Sequence, residues 1–530
     1  MKATGGQHVV ATTSKDKGKT WSAPVDIEPA SGPAASWAMP LLMPGGRVYA
    51  FYDYNGDRVD TLGKKKGIRA DMLGWYVYKY SDDHGRTWSK QRYRLPVRQT
   101  EYDRINDWKG QVQMFWGIGK PIIAGGDVYL GFSKIGKYLV SKSEGWFFRS
   151  DNMLTEADPA KIHWTMLPAG DVGLRAPKGP VAEEQNLVAL SDGTLYTVYR
   201  TVDGYPCDAY STDKARTWTP VAYATYTPGG RKIKNPRACP RLWKTRNGRL
   251  LLWFHNHNGK GFNARNPAWV TGGIEKNGRV HWSQPEILLY DPDCGDRKNE
   301  NRGAVRISYP DLIEEGGCYW VTETQKSIAR VHAIDRFLFE GLWNQGTART
   351  VATRGLVLSL DAEQVKARQA AMPALPDLRD IEGFSIEVRL TFRDLSAGQV
   401  ILDARNPAGK GFALTTTEAG TLQIESSDGE TKYAWDCDAG LLKPDKLHHV
   451  TVIVDSGPKI ISFLVDGVLC DGGASRQYGW GRFPNTLGDV NGSNKLAIAP
   501  SLNGALQGLR IYNRYLRTSE AVANWRAEIE

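Results

Sequence analysis

One eight-residue phrase, S-x-D-x-G-x-T-W, constrains this chain more than any other feature. It reads SKDKGKTW at Ser14–Trp21 and SDDHGRTW at Ser81–Trp88. It returns as STDKARTW at Ser211–Trp218, where Ala215 stands in the glycine position. Asp and Gly close a tight turn, the Ser and Thr hydroxyls bond to its backbone, and a Trp packs beneath it. Each copy follows a strand-like run: HVVATT, WYVYKY and CDAY. A strand leading into the same turn, again and again, is what a radial array of small antiparallel sheets needs.

Between the copies lie further strand pairs, each opened by a Gly turn: PGGRVYAFYDY, AGGDVYLGFSK, SDGTLYTVYR, RNGRLLLWFHN and EGGCYWVTETQ. One pair per sheet gives about six blades, so an all-β, six-bladed β-propeller is expected over residues 1–345. A weaker copy of the phrase lies near Ser150–Asp151, and HWSQP at His281–Pro285 looks like the tail of another. A sandwich followed by loops is the competing all-β arrangement, and the regular turn spacing argues against it.

After Trp343 the pattern changes. Residues 346–382 read as a linker and lead-in strand, broken by prolines. From Gly383 to residue 530 a second all-β pattern runs through GFSIEVRLTF, HHVTVIVD and KIISFLVDG to GLRIYNRYL and a closing helix. These segments resemble the concanavalin-like, laminin-G-like jelly-roll sandwich. Such modules bind glycans or pack on a catalytic domain, and both readings stay open. The break near residues 344–380 predicts that residues 360–530 can be removed without losing a site residue.

The formal charge of +10 raises the possibility of a nucleic-acid partner, but Lys and Arg are scattered among acids with no basic block. An acidic sugar or glycan accounts for the balance equally well, and no nucleic acid is expected. Six cysteines, widely spaced and without a CxxC pair, give no zinc site and no readable disulfide framework. No metal and no other cofactor is expected. No stretch is apolar enough to span a membrane. The start, MKATGGQHVV, has no signal-peptide core. The expectation is a secreted or periplasmic protein whose export signal lies outside this sequence.

One hairpin, VAEEQNLVALSDGTLYTVYR at Val181–Arg200, places Glu184 beside Arg200 at one rim of a sheet. By itself that is a rim ion pair, which contributes little. With the repeated turns in view, the first 340 residues resemble the sialidase (neuraminidase) superfamily, whose repeats are known as Asp boxes. The hairpin matches the family segment in which a glutamate precedes a DG turn and an arginine ends the next strand. On that match Glu184 takes the glutamate's place and Arg200 the arginine's. RLLLWFHNHNGKGFNARNPAWV resembles the segment that carries another arginine, here Arg265. ISYPDLIEEGGCYWVTETQ resembles the segment around the nucleophilic tyrosine, here Tyr309, with Glu323 in a supporting position.

The resemblance implies an exo-acting glycoside hydrolase that releases a terminal sialic acid or related acidic sugar with retention. The chemistry suits these residue types. Arginines hold a sugar carboxylate by charge-assisted hydrogen bonds. A neutral phenol escapes the repulsion a carboxylate nucleophile would feel, provided a base such as Glu184 takes its proton.

An acid is also required, and here the sequence departs from the pattern. The family carries its first arginine in an early RIP-like segment and its acid/base aspartate just before the first box. The thirteen residues before Ser14 contain neither Asp nor Arg, and His8 in that stretch reads as structural. Substitutes are Asp53, Asp57 and Arg58 in FYDYNGDR, and Asp103, Arg104 and Asp107 beside Trp108. Among these Asp53 and Trp108 are taken as substrate-binding candidates. Arg237 and Arg241, Arg302 and Arg306 are further cations, with Arg237 and Arg306 the candidate anion ligands. His255 and His257 lack carboxylates at ligand spacing and read as a polar strand end. Two rivals remain open: a propeller lyase or other glycosidase acting on acidic polysaccharide, and a non-catalytic glycan-binding protein.

Overall fold

The computed structural model describes residues 7–59, 70–106, 108–137, 142–261, 264–292, 306–324 and 328–529. The chain is nearly all β. Five antiparallel sheets of three to five strands follow one another in sequence, from Ala35 to Ile334. A sixth unit, the two-stranded pairing of Val10–Ala11 with Val25–Asp26, bridges the first and fifth sheets. Its Ile27 carbonyl takes the Lys79 ammonium at 2.7 Å, and its Lys17 lies 4.8 Å over the Trp320 ring. This ring is the expected β-propeller. The six units agree with the expected number of blades, although only two strands of the sixth lie among the described residues.

The S-x-D-x-G-x-T-W turns hold themselves together. In the second copy, Ser81 Oγ donates to Asp83 Oδ1 at 2.7 Å and accepts the Gly85 N–H at 2.8 Å. Asp83 in turn accepts the Thr87 N–H at 2.9 Å and the Thr87 hydroxyl at 2.6 Å. The same carboxylate–threonine pairs recur at Asp16 and at Asp213. The backbone turns left-handed there, at φ 86° for Gly18 and 84° for Gly85. Ala215 adopts the same conformation at φ 67°, which explains why glycine is preferred in the motif.

The C-terminal region is a concanavalin-like sandwich of a seven-stranded and a six-stranded sheet. Leu356–Leu360 already pairs with Gly504–Tyr512, and Gln369–Ala371 with Lys495–Ile498. The sandwich is not an independent bead on a linker. One continuous apolar cluster joins Leu242, Leu252, Phe254 and Trp269 of the propeller to Ile453, Leu464, Trp480 and Tyr512 of the sandwich.

Polar contacts lock the same boundary. The Trp480 indole donates to the Asn256 carbonyl at 3.2 Å, and Lys234 to the Asp471 carbonyl at 2.6 Å. Glu286, at the start of strand Glu286–Leu289, caps the closing helix Thr518–Glu528 by accepting the Thr518 and Ser519 N–H groups at 2.9 and 2.8 Å. Removing residues 360–530 would strip this shared core, although none of the candidate site residues lies in them.

Candidate active site

Three blades break strand register at the same kind of place, near the start of a blade's first strand. Pairing slips between Ser36 and Met39 in Ala35–Leu42, between Glu183 and Asn186 in Glu183–Ala189, and between Ser308 and Asp311 in Ser308–Glu315. At each slip one residue turns left-handed: Trp37 at φ 62°, Glu184 at 61° and Tyr309 at 48°. Bulky residues adopt this conformation at a cost of roughly 1–3 kcal/mol, and such strain clusters at functional sites.

The three side chains converge. The Tyr309 hydroxyl donates to Glu184 Oε1 at 3.0 Å, across 125 residues of sequence. The Trp37 ring lies 6.3 Å from Tyr309 and 6.2 Å from Trp116. Trp108, a candidate from the sequence, packs into the same cluster as Trp37, Trp116 and Tyr309.

Distant groups fix the Glu184 slip. Its N–H donates to Ser133 Oγ at 2.8 Å, and Ser133 donates onward to the neighbouring Gln185 at 3.0 Å. A Cβ at Gly131 would stand 2.7 Å from the Gln185 carbonyl, so only glycine lets these two blades meet so closely.

Arg200 lies opposite Glu183 in the ladder, so the hairpin holds two carboxylates at this rim instead of one. Arg200 bonds Glu183 through Nε at 3.1 Å and through Nη2, and its Nη1 reaches Glu184 Oε1 at 2.8 Å. Burial disfavours the Arg200 charge, but the two carboxylates outweigh it and hold the guanidinium firmly protonated. Glu183 was not picked out in the sequence; its direct pairing with an inward arginine is the signal that could have found it.

Arg265 donates to the Ser308 hydroxyl at 2.8 Å and to the Arg237 carbonyl at 2.9 Å, which brings Arg237 and Arg265 into the same cluster. Burial lowers the pKa of both guanidinium groups. It raises that of the Tyr309 phenol well above the ordinary value, with the Glu184 charge adding to the effect. Arg241 supports the floor instead, bonding the Ile118 carbonyl at 3.1 Å and Asn186 at 2.9 Å.

Two buried carboxyl groups lie beside this cluster. Asp53 is 2 % exposed, pairs with Ser36 across the ladder and accepts the Gly117 N–H at 3.2 Å. Burial holds its pKa well above the usual carboxylate range, and the Asp71 charge contributes. Asp71, 4 % exposed, sits in the short turn Ala70–Met72, whose Asp71 carbonyl takes the Trp37 indole N–H at 2.9 Å. The sequence reading sought an aspartate before the first S-x-D-x-G-x-T-W copy and missed Asp71, which precedes the second.

The remaining candidates make contacts of their own, and Glu323 lies opposite the Tyr309 slip. Glu323 is held by His332 at 3.3 Å and faces Arg330 across the ladder. Asp57 accepts the Trp75 indole at 3.0 Å, and Arg104 pairs with Asp171 at the surface. Asp103 is buried against Lys134. Arg306 is partly buried three residues before Tyr309. His255 and His257 bond the Pro267 and Ala264 carbonyls at 3.3 and 2.8 Å, and no cluster of metal-ligating side chains occurs among the described residues. Asp107, Arg302 and Cys294 lie outside the described residues. No helix among those residues is long and apolar enough to cross a membrane.

A family model described as BNR repeat-like domain matches residues 5–321. A second, the concanavalin A-like lectin/glucanases superfamily, matches residues 366–522. An anhydrosialidase from Macrobdella decora is 27 % identical over 185 residues, which is 32 % of this chain; the chain spans 21 % of that relative's length. Among solved structures, a Trypanosoma rangeli sialidase bound to 2,3-difluoro-KDN is similar at 14 % identity and TM-score 0.40, covering 98 % of this chain and 88 % of that one. A Hadza microbial sialidase is similar at 17 % identity and TM-score 0.42, covering 62 % and 59 %.

Proposed function

This chain belongs to the family of BNR repeat-like domains, and from that premise we propose that it is a retaining glycoside hydrolase of the sialidase type. It would release a terminal sialic acid or a related acidic sugar. The observation that carries the reading is the 3.0 Å hydrogen bond from the Tyr309 hydroxyl to Glu184. The sialidase names of its relatives point the same way.

Tyr309 would attack the anomeric carbon while Glu184 takes its proton. A phenol whose pKa burial has raised does not ionise alone at neutral pH, so proton removal must accompany attack. The leaving oxygen would receive a proton from the Asp53–Asp71 pair, in which burial, with the Asp71 charge adding to it, keeps the Asp53 carboxyl protonated. In the second half, the deprotonated pair takes a proton from water as the water attacks the same carbon. The Tyr309 oxygen then leaves and recovers its proton from Glu184.

A fluorogenic sialoside assay tests this directly. Wild type should turn over, and Glu184→Gln should be slower by roughly 10²–10⁴-fold, because an amide cannot take the phenolic proton. Asp71→Asn should slow substrates with poor leaving groups far more than those with activated phenols. Equal losses on both would remove the acid role from the pair. An absence of turnover across acidic sugars, in a folded protein that still binds them, would leave the glycan-binding reading instead.

A further inference from the structure

The propeller segment 264–266 is strained, and it is gripped from both domains. Ala264 turns left-handed at φ 58°, a conformation that costs a residue with a side chain roughly 1–3 kcal/mol and persists only when its surroundings hold it. On the propeller side, Asn266 clasps Asp291. Its Nδ2 donates to the Asp291 carbonyl at 2.9 Å, and its Oδ1 accepts the Asp291 N–H at 3.1 Å. On the sandwich side stands Arg482, 8 % exposed on the strand Trp480–Arg482. It donates through Nη2 to the Asn266 carbonyl at 2.5 Å and through Nη1 to the Pro458 carbonyl at 3.3 Å.

A second tie grips the same segment one residue before Arg265. His257 Nε2 meets the Ala264 carbonyl at 2.8 Å. His257 Nδ1 accepts the Gly259 N–H at 3.2 Å, so the proton of the neutral ring lies on Nε2 and is donated to Ala264. The sandwich fixes that ring. Gln477 Nε2 lies 3.3 Å from His257 Nδ1, and the Gln477 carbonyl takes the Asn258 N–H at 3.4 Å. The Tyr478 ring packs 4.8 Å from the imidazole. With its backbone held on either side, Arg265 is aimed at Ser308, whose hydroxyl it reaches at 2.8 Å. Ser308 opens the register slip at which Tyr309 turns left-handed.

We propose that Arg482 and Gln477 are positioning residues that the sandwich contributes to the propeller site. They hold residues 264–266 and, through the Arg265–Ser308 bond, the slip that presents Tyr309. The expected effect on turnover rests on the hydrolase reading; the expected effect on backbone exchange does not.

Hydrogen exchange followed by mass spectrometry on Arg482→Ala in the full chain, beside sialoside turnover, tests this. Exchange should quicken at least ~10-fold in peptides covering residues 264–269 and 306–312, the scale of one lost charge-assisted hydrogen bond. The kcat should fall roughly 10²-fold, as when a reacting group is displaced by about 1 Å. Arg482→Lys should recover most of both losses, because its ammonium still offers a donor to the Asn266 carbonyl. Glu286→Ala loosens the same boundary through the closing helix and should leave residues 306–312 and kcat unaltered. Where Arg482→Ala shows no cooperative melt, Gln477→Ala replaces it, with effects of at least ~3-fold on the same peptides and on kcat. Unaltered exchange at residues 306–312 overturns the proposal, as does an equal response to Glu286→Ala. So does wild-type kcat in a variant whose exchange has quickened. A protein whose exchange follows Arg482 but which cleaves no sialoside upholds the positioning role and refutes only the hydrolase reading.

Discussion

At Asp16, Asp83 and Asp213 the left-handed turn is stabilised from within its own eight residues, by a serine, a threonine and the aspartate between them. At Trp37, Glu184 and Tyr309 the same backbone conformation is held from far away. Ser133, 51 residues distant, fixes the Glu184 N–H, and the Asp71 carbonyl, 34 residues distant, takes the Trp37 indole. Turns of the first kind can be copied along a chain because each carries its own support. Strand slips of the second kind need partners from segments distant in the chain. The repeated phrase builds the scaffold, while the proposed chemistry sits where repetition fails.

The largest effect should come from the slips. Tyr309→Phe should lower kcat by at least ~10³-fold with the melting temperature nearly unchanged, since only a hydroxyl is lost. Retained turnover would collapse the distinction between the two kinds of turn.

At the boundary between propeller and sandwich the balance should reverse. Glu286→Ala leaves two buried N–H groups at the start of the closing helix without an acceptor. A loss of about 2–4 kcal/mol in denaturant unfolding is expected, with kcat of the folded protein unaltered. Unchanged stability would mean that the two domains are not held together as the shared core implies.

The sandwich should also answer to pH. Burial pushes Glu387 up to about 7, against hydrogen bonding from Asn524, and Asp455 likewise to about 7. An acid raised on folding adds stability in full below its unfolded pKa and loses it as pH climbs to the folded value. The melting temperature should therefore fall between about pH 4.5 and pH 7. Glu387→Gln with Asp455→Asn should flatten that slope; a slope of the same size in the double variant would contradict the assignment.

The smallest effect is expected at a rim turn. Asp213→Ala removes the acceptor for the Thr217 N–H and hydroxyl. About 1 kcal/mol of stability should be lost with activity within twofold of wild type.

Much of this organisation was legible in the sequence. The repeated turns marked the propeller because their residues are contiguous, and the sandwich showed in its alternating strands. Glu184, Arg200, Arg265 and Tyr309 were found through segment resemblance, and the structure brings all four together. What escaped depends on contacts between segments distant in the chain. Asp71 carries no local signature, and its relation to Trp37 arises only when the first sheet folds. Glu183 and Arg237 interact across two blades at 3.7 Å, a contact that spacing along the chain cannot reveal. The proline-broken stretch over residues 346–382 reads as a linker and gives no sign that the two domains share a core. The apolar faces of Trp269 and Trp480 that bind the two domains belong to strands whose alternation shows burial but not against what.

The central claim is that Tyr309 is the nucleophile, and covalent trapping tests it most directly. Wild type incubated with a 2,3-difluorosialic acid, whose fluorine at C3 slows breakdown of the intermediate, should lose the C2 fluoride and gain one 3-fluorosialyl mass. Peptide mapping should place that mass on Tyr309, and Tyr309→Phe should gain none. Labelling of another side chain, or steady turnover of sialosides with Tyr309 replaced by Phe, would contradict the account.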